Sequence, residues 1–276
     1  MSEFRPGTDT AFSGSVAEIY DRYLVPLIFQ DFAERMGALA AACAPDAVLE
    51  TAAGSGVLTR VLARVLPEST ELVATDLNAA MIDYARRRMD GARRVEWQVA
   101  DALALPFDAA RFDLVACQFG AMFFPDRVKG YAEARRVLKP GGRFLFTMWD
   151  AIEANDFAHA VTEALAQLWP NDPPRFLART PHGHGRPEVI AREVAAAGLV
   201  LRQIDPMTAR SRAATAYEAA LAYCQGTPLR GEIEARDPDG LGRATEHAGR
   251  AIARVWGDGP VDGAVRGYVV EAAVPG

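Results

Sequence analysis

The 276-residue sequence predicts an α/β fold, in which helices cover both faces of a doubly wound, mostly parallel sheet of seven strands. Three observations predict this class. Short β-rich runs alternate with helical patterns over residues 46–150. A glycine-rich turn joins the first strand to its helix, and 50% of the residues are hydrophobic, which in a chain of this length provides a large core. Such alternation is typical of a parallel sheet between two helical layers.

The first elements follow a polar leader. Residues 15–42 have a helical pattern that Pro26 is expected to kink or split. Asn78 is the expected N-cap of the helix after the second strand, and Gly91 lies just past its expected end. The first five predicted strands are AVLE (47–50), ELVATD (71–76), RVEWQVAD (94–101), FDLVACQF (112–119) and RFLFTMW (143–149).

The regular alternation stops after Trp149. PEVIAREVAAAG is predicted to form a helix that ends before Gly198, LVLRQID a sixth strand, and GAVRGYVVEAAV a seventh. The remaining helical stretches are insertions, which in α/β sheets usually form a lid over the carboxyl ends of the strands. The predicted organisation is a helical cap over 1–45, a core over 46–150, a lid insertion over 151–185, a core helix and strand over 186–210, a helical lid insertion over 211–260, and a final core strand over 261–276.

Charge and cysteine usage restrict the partners and the compartment. The net charge of −6 argues against a nucleic-acid partner, because such proteins need a basic face. Cys43, Cys117 and Cys224 are far apart, which predicts three separate thiols in a reducing compartment. The start has no apolar signal-peptide core, and no apolar run approaches the roughly 20 residues of a membrane span. We therefore expect a cytoplasmic protein without a membrane span.

The turn ETAAGSG (50–56) is the first candidate binding element. Gly54 and Gly56 lack the Cβ that would keep the backbone away from a ligand, and the N-terminus of the following helix favours an anion. Many tight turns contain this spacing of glycines, so the motif alone is also compatible with a plain strand-to-helix connection.

Acidic residues end the next two predicted strands. Asp76 lies twenty positions after Gly56 and could accept hydrogen bonds from both hydroxyls of a ribose. Asp101 could accept from the exocyclic amine of adenine, while the N–H of Ala102 donates to a ring nitrogen. Each residue alone could be a solvated surface residue. Together with Glu50, however, they place three acids at three successive strand ends, which favours a nucleoside site.

These motifs resemble class I S-adenosylmethionine-dependent methyltransferases, in particular the small-molecule group related to the ubiquinone/menaquinone C-methyltransferases. The segments that carry the resemblance lie between about Val48 and Trp149. They are VLETAAGSGVLT, ATDLNAAMIDYA, VADALALPFDAARFDLV and VLKPGGRFLF. The resemblance implies a Rossmann-like fold with an antiparallel last strand, S-adenosyl-L-methionine as cofactor, and methyl transfer to a small-molecule acceptor.

The resemblance also implies roles for individual residues. Glu50 would anchor the glycine loop, Asp76 would hold the ribose, and Leu77 would flank the adenine. The family's loop commonly reads E-x-G-x-G-x-G, and Ala52 stands at the first glycine, where we expect a slight backbone shift without loss of the site. The cofactor-binding residues implied are Glu50, Ala52, Gly54, Gly56, Asp76, Leu77, Met81, Asp101, Ala102 and Gln118.

Methyl transfer from a sulfonium is an in-line displacement, in which positioning contributes about 7–11 kcal/mol. No metal is required, and none is predicted. A general base would accelerate the reaction of a protonated nucleophile. The candidate catalytic residues are His182 and His184, in the loop TPHGHG, and Tyr20 in the N-terminal helical segment. The two histidines could instead lie in a solvated loop or bind a metal.

An apolar segment, QFGAMFFP (118–125), follows the fourth strand and predicts an apolar or planar acceptor. The same segment could be ordinary core. Tyr20 and Tyr23, three residues apart, share one helix face, which either closes the site or packs in the interior. A homodimer is also compatible with the sequence. The residues predicted to contact the acceptor are Tyr23, Phe119, Met122 and His159.

Two other protein classes share some of these motifs. A nicotinamide-dependent dehydrogenase shares the glycine turn, but its G-x-G-x-x-G motif would need glycine at Thr59. The helix near Asp126 offers Tyr131 with Arg135, whereas short-chain reductases use tyrosine and lysine. The other class is a cofactor-binding module without transfer activity, which would act as a sensor or scaffold and keep the same acids.

Overall fold

A computed structural model describes residues 18–89 and 95–275 of the chain. These residues form two compact units. The helical unit contains residues 18–29, 149–184 and 208–266, and the sheet unit contains residues 30–89, 95–148, 185–207 and 267–275.

Seven strands form one sheet in the order β3-β2-β1-β4-β5-β7-β6. Strands β1 to β5 pair in parallel, and the last strand is antiparallel, so the predicted fold class is confirmed. The strands are β1 (Ala47–Glu50), β2 (Glu71–Asp76), β3 (Glu96–Val99), β4 (Phe112–Cys117), β5 (Leu138–Trp149), β6 (Val200–Ala213) and β7 (Val261–Ala273).

Helices connect the strands and make up most of the insertions. A π-helical segment, Tyr20–Phe29, precedes the first α-helix, and short 3-10 turns span Ala121–Phe123 and Ile152–Ala154. The α-helices of the described chain are α1 (Gln30–Ala42), α2 (Val57–Val65), α3 (Ala79–Arg88), α4 (Arg127–Val137), α5 (Asp156–Leu168), α6 (Phe176–Arg179), α7 (Pro187–Ala196), α8 (Ala216–Gln225), α9 (Leu229–Glu234) and α10 (Leu241–Trp256).

Two predicted helix ends are confirmed. The Asn78 side chain accepts a hydrogen bond from the N–H of Ala80 at 2.9 Å and caps α3. Gly198 follows α7 with φ +76°, a left-handed conformation that glycine adopts without strain. The expectation for Gly91 lies outside the described residues.

Pro26 lies inside the π-helical segment, and the change to α-helix comes three residues later. A proline lacks the N–H and crowds the carbonyl four residues back, so the wider π turn accommodates it. The sequence analysis placed α1 with this segment, but α1 belongs to the sheet unit. There Gly37 lets α1 approach α2, because a Cβ at this position would lie 2.4 Å from a Val61 methyl.

Two strands are much longer than predicted. Strand β5 begins at Leu138, five residues before the predicted start, and includes KPGG, with Gly141 at φ +75° and a register shift against β4. Strand β6 has 14 residues, twice the predicted number. It is the edge strand of the sheet and few of its side chains are buried, so hydrophobic periodicity does not mark its end.

The core of the sheet unit holds the carboxyl ends of the strands in place. Every residue of β1 is buried, as expected for a central parallel strand. Under α4, Tyr131 packs on Phe144 and Phe146, with ring centroids 5.6 and 5.0 Å away. The loops that follow these strands therefore start from rigid positions.

The helical unit has its own core. Helix α10 packs on α5 and α8, and α8 packs on the π-helical segment. Glu232 of α9 accepts hydrogen bonds from the N–H groups of Arg175 and Phe176 and from the Arg179 side chain. This carboxylate thereby ties α6 to α9.

The cysteines and the helices bear on two further expectations. Cys43, Cys117 and Cys224 are free thiols, as predicted. Among the described helices, none has the length and apolar character needed to cross a membrane.

Candidate functional site

The loop between β1 and α2 takes left-handed backbone conformations. Ala52, Gly54 and Gly56 have φ values of +53°, +56° and +80°. Ala52 thus adopts the conformation that a glycine favours, at a cost of about 1 kcal/mol for its methyl group. The N–H of Thr51 donates to the Ala116 carbonyl at 2.9 Å, which holds the start of the loop against β4.

The two glycines have different roles. A Cβ at Gly54 would meet no atom within 4 Å, so this stretch of backbone faces open space that a ligand can approach. A Cβ at Gly56 would lie 3.1 Å from the Ala85 Cβ and 3.3 Å from the Trp97 ring. Gly56 is therefore required for packing inside the sheet unit, and Gly54 is the glycine that suits close contact with a ligand.

Glu50 is buried beneath the loop, with an exposed fraction of 1%. Its Oε2 accepts a hydrogen bond from Thr59 Oγ1 at 2.6 Å, and its carbonyl accepts one from Thr75 Oγ1 at 3.0 Å. Burial raises the pKa of the Glu50 carboxyl to about 8. At neutral pH this residue is mostly protonated and joins β1, α2 and β2.

Asp76 ends β2 and holds two backbone groups. Its Oδ2 accepts from the N–H of Gly54 and its Oδ1 from the N–H of Asn78, each at 2.8 Å. Burial raises the pKa of this carboxyl above its ordinary value. Each carboxylate oxygen has a second acceptor position, so the side chain can also accept from two ribose hydroxyls. The clasp on Gly54 is a role that the sequence analysis did not foresee.

Asp101 follows β3 and is exposed. Its Oδ1 accepts from the N–H of Leu103 at 2.8 Å, and Oδ2 has no hydrogen-bond partner in the described part of the chain. Leu77 and Val99, 62% and 50% exposed, present apolar surface at the neighbouring strand ends. Val99 pairs with Asp76 in the β2–β3 register. The sequence could have identified Val99 from this position, because it lies in the third strand beside the acid that ends the second. Apolar side chains of this kind suit the faces of a purine.

The other predicted cofactor residues also lie in the sheet unit. Met81 on α3 is 3% exposed, whereas Ala102 and Gln118 are partly exposed after β3 and β4. Two acceptor-contact candidates lie there as well. Phe119 is 4% exposed and packs edge-on against Phe32, with ring centroids 4.9 Å apart, and Met122 is 1% exposed. Their roles toward ligands remain predictions.

The remaining candidates belong to the helical unit. The Tyr20 ring lies 5.2 Å from that of Phe29, and the Arg22 guanidinium lies over Tyr23. His159 on α5 is partly exposed, as is His184 after α6. The described residues contain no group of three or more side chains suited to hold a metal ion.

His182 has the most defined surroundings of the histidines. Its Nδ1 lies 2.9 Å from the Asp150 carbonyl oxygen, so Nδ1 carries the hydrogen and Nε2 the lone pair. Burial lowers the pKa of His182 to about 4, which leaves the ring neutral at pH 7. Nε2 has no partner among the described residues.

Asn155 lies beside this histidine and was not identified from the sequence. It is 1% exposed, and its Nδ2 donates to the Ala151 carbonyl at 3.0 Å and lies 3.5 Å from His182 Nδ1. Its Oδ1 accepts from the N–H of Arg266 at 2.9 Å. No local motif marks these partners, because they come from different parts of the chain.

The sheet order and the helices around it give the fold of class I methyltransferases, and Glu50, Asp76 and Asp101 lie at or just after the ends of three neighbouring strands. The surroundings of Tyr131 do not favour a dehydrogenase, because this tyrosine is 0% exposed and its hydroxyl has no partner among the described residues. Residues 48–142, which lie in the sheet unit and are described by the structure except for 90–94, match the family described as methyltransferase domain. The resemblance to class I S-adenosylmethionine-dependent methyltransferases is confirmed.

Comparison with curated proteins shows two similar relatives. The chain is 38% identical over 144 residues to demethylmenaquinone methyltransferase of Clavibacter sepedonicus, covering 51% of this chain and 58% of the relative. It is 35% identical over 120 residues to 2-phytyl-1,4-naphtoquinone methyltransferase of Thermosynechococcus vestitus, covering 44% and 50%. The matched regions thus span between half and three fifths of these relatives.

Among solved structures, the cyclase SpnF is similar over the whole fold. It has a TM-score of 0.60 at 16% identity and covers 100% of this chain and 99% of its own. At this identity the likeness shows the fold and leaves the reaction open. The methyltransferase class therefore rests on the sequence matches and on the residues of the site.

Proposed function

We propose that the protein transfers the methyl group of S-adenosylmethionine to a small-molecule acceptor by in-line displacement. The observation that carries this proposal is the arrangement of Gly54, Asp76 and Asp101 at the ends of three neighbouring strands. The cofactor supplies a methyl group activated by its sulfonium. Positioning then provides most of the rate, so the residues that bind and orient carry the mechanism.

The sheet unit contributes the cofactor contacts in this proposal. Asp76 accepts hydrogen bonds from the ribose hydroxyls while it holds the Gly54 N–H. Asp101 accepts from the exocyclic amine of adenine through its unpartnered Oδ2, and Leu77 and Val99 cover the faces of the base. The exposed backbone at Gly54 and the N-terminus of α2 receive the amino-acid end.

For the acceptor we infer an apolar, planar small molecule. The two relatives are named for demethylmenaquinone and 2-phytyl-1,4-naphtoquinone, and both names describe ring systems of this kind. Because these relatives are matched over 58% and 50% of their length, the ring system of the acceptor is to be identified by the turnover experiment below. Tyr23, Phe119, Met122 and His159 are proposed as acceptor contacts, and Tyr20 and His184 stay candidates for catalytic groups.

His182 is proposed as the group that takes the proton of the acceptor. The Asp150 carbonyl fixes the hydrogen on Nδ1, so the lone pair on Nε2 is available, and the low pKa keeps it available at neutral pH. A ring with this pKa is a weak base. It therefore suits an acidic hydroxyl, such as that of a phenol or hydroquinone, better than an amine.

The test combines binding and turnover. Titration calorimetry with S-adenosylmethionine and with NAD is expected to show binding of the first alone. Incubation with a panel of naphthols and hydroquinones is then expected to form S-adenosylhomocysteine. Binding of NAD alone would overturn the class. Tight binding of S-adenosylmethionine without turnover of any acceptor would instead support a binding module.

A further inference from the structure

The segment 101–107 follows Asp101 and has no regular secondary structure, so other groups must satisfy its backbone. Helix α4 supplies them. Glu133 Oε2 accepts from the N–H of Leu105 at 2.8 Å. Arg136 donates to the carbonyls of Leu105 and Phe107 at 2.8 and 2.7 Å. Both backbone groups of Leu105 are therefore held by side chains that lie about thirty residues later.

Glu133 and Arg136 also bind each other. The Arg136 guanidinium donates to both carboxylate oxygens, through Nε at 2.8 Å and Nη2 at 2.9 Å. The two residues lie three positions apart on one helix face, which allows this two-pronged contact. The same hydrogen bond lowers the pKa of the Glu133 carboxyl, so the pair is ionised at neutral pH. Loss of either side chain disturbs the other.

The segment is fixed at three points. At its start, the Asp101 carbonyl accepts from the N–H of Ala104 at 2.9 Å, and Asp101 Oδ1 accepts from Leu103. In its middle lies Leu105, held by α4. At its end, Phe107 packs edge-on against Phe112, with ring centroids 5.3 Å apart. The position of Asp101 therefore depends on a turn whose next residue is anchored to α4.

We propose that Glu133 and Arg136 are positioning residues for adenine recognition, which hold the segment 101–107 so that Asp101 reads the exocyclic amine. The inference rests on the cofactor site of the proposed function. Neither residue touches the cofactor in this proposal, since both act through the turn at Asp101. Their role is to give the base contact a fixed place.

The test compares two ligands that differ at one group of the base. S-adenosylhomocysteine carries the exocyclic amine, and S-inosylhomocysteine carries an oxygen there. Calorimetry gives the ratio of the two affinities, which we expect to favour the adenine ligand in the wild type. In Glu133→Gln this ratio is expected to fall by about 10-fold, the value of one well-placed hydrogen bond.

Two further variants make the test specific. Arg136→Lys keeps the charge but loses the forked contact, so its ratio is expected to fall as well. Glu271→Gln is the matched control, because Glu271 pairs with Arg143 at 2.7 Å on the sheet unit and holds no backbone group of the segment. The control is expected to keep the wild-type ratio. In an Asp101→Ala background, Glu133→Gln is expected to leave the ratio unchanged.

The outcomes separate the inference from the proposed function. If Glu133→Gln weakens both ligands equally, its role is general packing and the inference is wrong. A wild type that binds both ligands equally well also overturns it, because Asp101 then reads no amine. If the wild type binds neither ligand, the cofactor assignment itself fails. Thermal unfolding of each variant shows that the compared proteins are folded.

Discussion

The strand ends that carry Glu50, Asp76 and Asp101 in the sheet unit and the surroundings of His182 in the helical unit are built in different ways. At the strand ends, Asp76 and Glu50 bind groups that lie within 25 residues of them, in or just after the neighbouring strand. In the helical unit, the Asp150 carbonyl fixes the His182 ring, and Asn155 beside it binds the Ala151 carbonyl and the N–H of Arg266. The first arrangement places one acid at or just after each successive strand end, and the second brings together residues from separate segments of the chain.

Each region nevertheless contains one titratable group that burial favours in its neutral form. Burial raises the pKa of Glu50 to about 8 and lowers that of His182 to about 4. The reason is the same, since desolvation disfavours the charged form of an acid and of a base. The comparison teaches that burial sets the protonation state of Glu50 and of His182, whereas the groups proposed to meet the ligand are the partly exposed Asp76 and the exposed Asp101.

The largest expected effect concerns Asp76. In Asp76→Ala, S-adenosylhomocysteine affinity is expected to fall by about 100-fold or more, because two charge-assisted ribose bonds disappear. The Gly54 and Asn78 N–H groups also lose their partner. Asp76→Asn keeps one acceptor oxygen and should lie between the two. Calorimetry measures the affinities, and a change within twofold for the alanine variant would contradict the ribose role.

Asn155 tests the other side of the comparison. Asn155→Ala removes the acceptor of the Arg266 N–H, while the Ala151 carbonyl keeps the N–H of Ala154, so the free energy of unfolding is expected to fall by about 2 kcal/mol. The same substitution at Asn78, a half-exposed N-cap, is the control and should cost about 1 kcal/mol. Denaturant unfolding measures both, and equal losses would show that the Asn155 network does not stabilise the unit.

Glu50 gives an effect that depends on pH. The folded protein keeps the proton up to a pKa of about 8, whereas the unfolded chain loses it near 4.5. The Glu50 contribution is therefore fully present below pH 4.5 and is lost as the pH rises to about 8. Glu50→Gln removes this dependence, at most about 1.4 kcal/mol per pH unit. Unfolding curves at several pH values test it, and parallel profiles of variant and wild type would refute the assignment.

The smallest effect is expected at Ala52. Ala52→Gly relieves the left-handed φ of +53° and should raise the free energy of unfolding. The gain is limited to about 1 kcal/mol. Gly120→Ala should destabilise, because its Cβ would lie 2.4 Å from the Ala52 Cβ. The double variant should recover much of that loss, and strictly additive changes would show that the two positions do not compete for space.

Much of the sheet unit could be predicted from the sequence, since β1 and β2 were placed at their observed bounds and Asn78 at its cap. These features follow from local periodicity and turn chemistry. The length of the edge strand β6 could not be predicted, because burial there gives no period.

The site was likewise predicted only in part. Its acids were found from their strand-end positions. The hydrogen bond of Asp76 to Gly54 and the contact of His182 with the Asp150 carbonyl were not, because they join residues 22 and 32 positions apart. A single sequence does not record such pairings.

The double duty of Asp76 has a consequence for redesign. A chemist who wishes this protein to use a cofactor analogue with an altered sugar would naturally replace Asp76, the residue proposed to face that sugar. Here the same carboxylate shapes the bend in the chain, so its replacement would damage the cradle together with the selectivity. Leu77 and Val99 are exposed and hold no neighbouring turn, which makes them the safer starting points for accepting modified nucleosides.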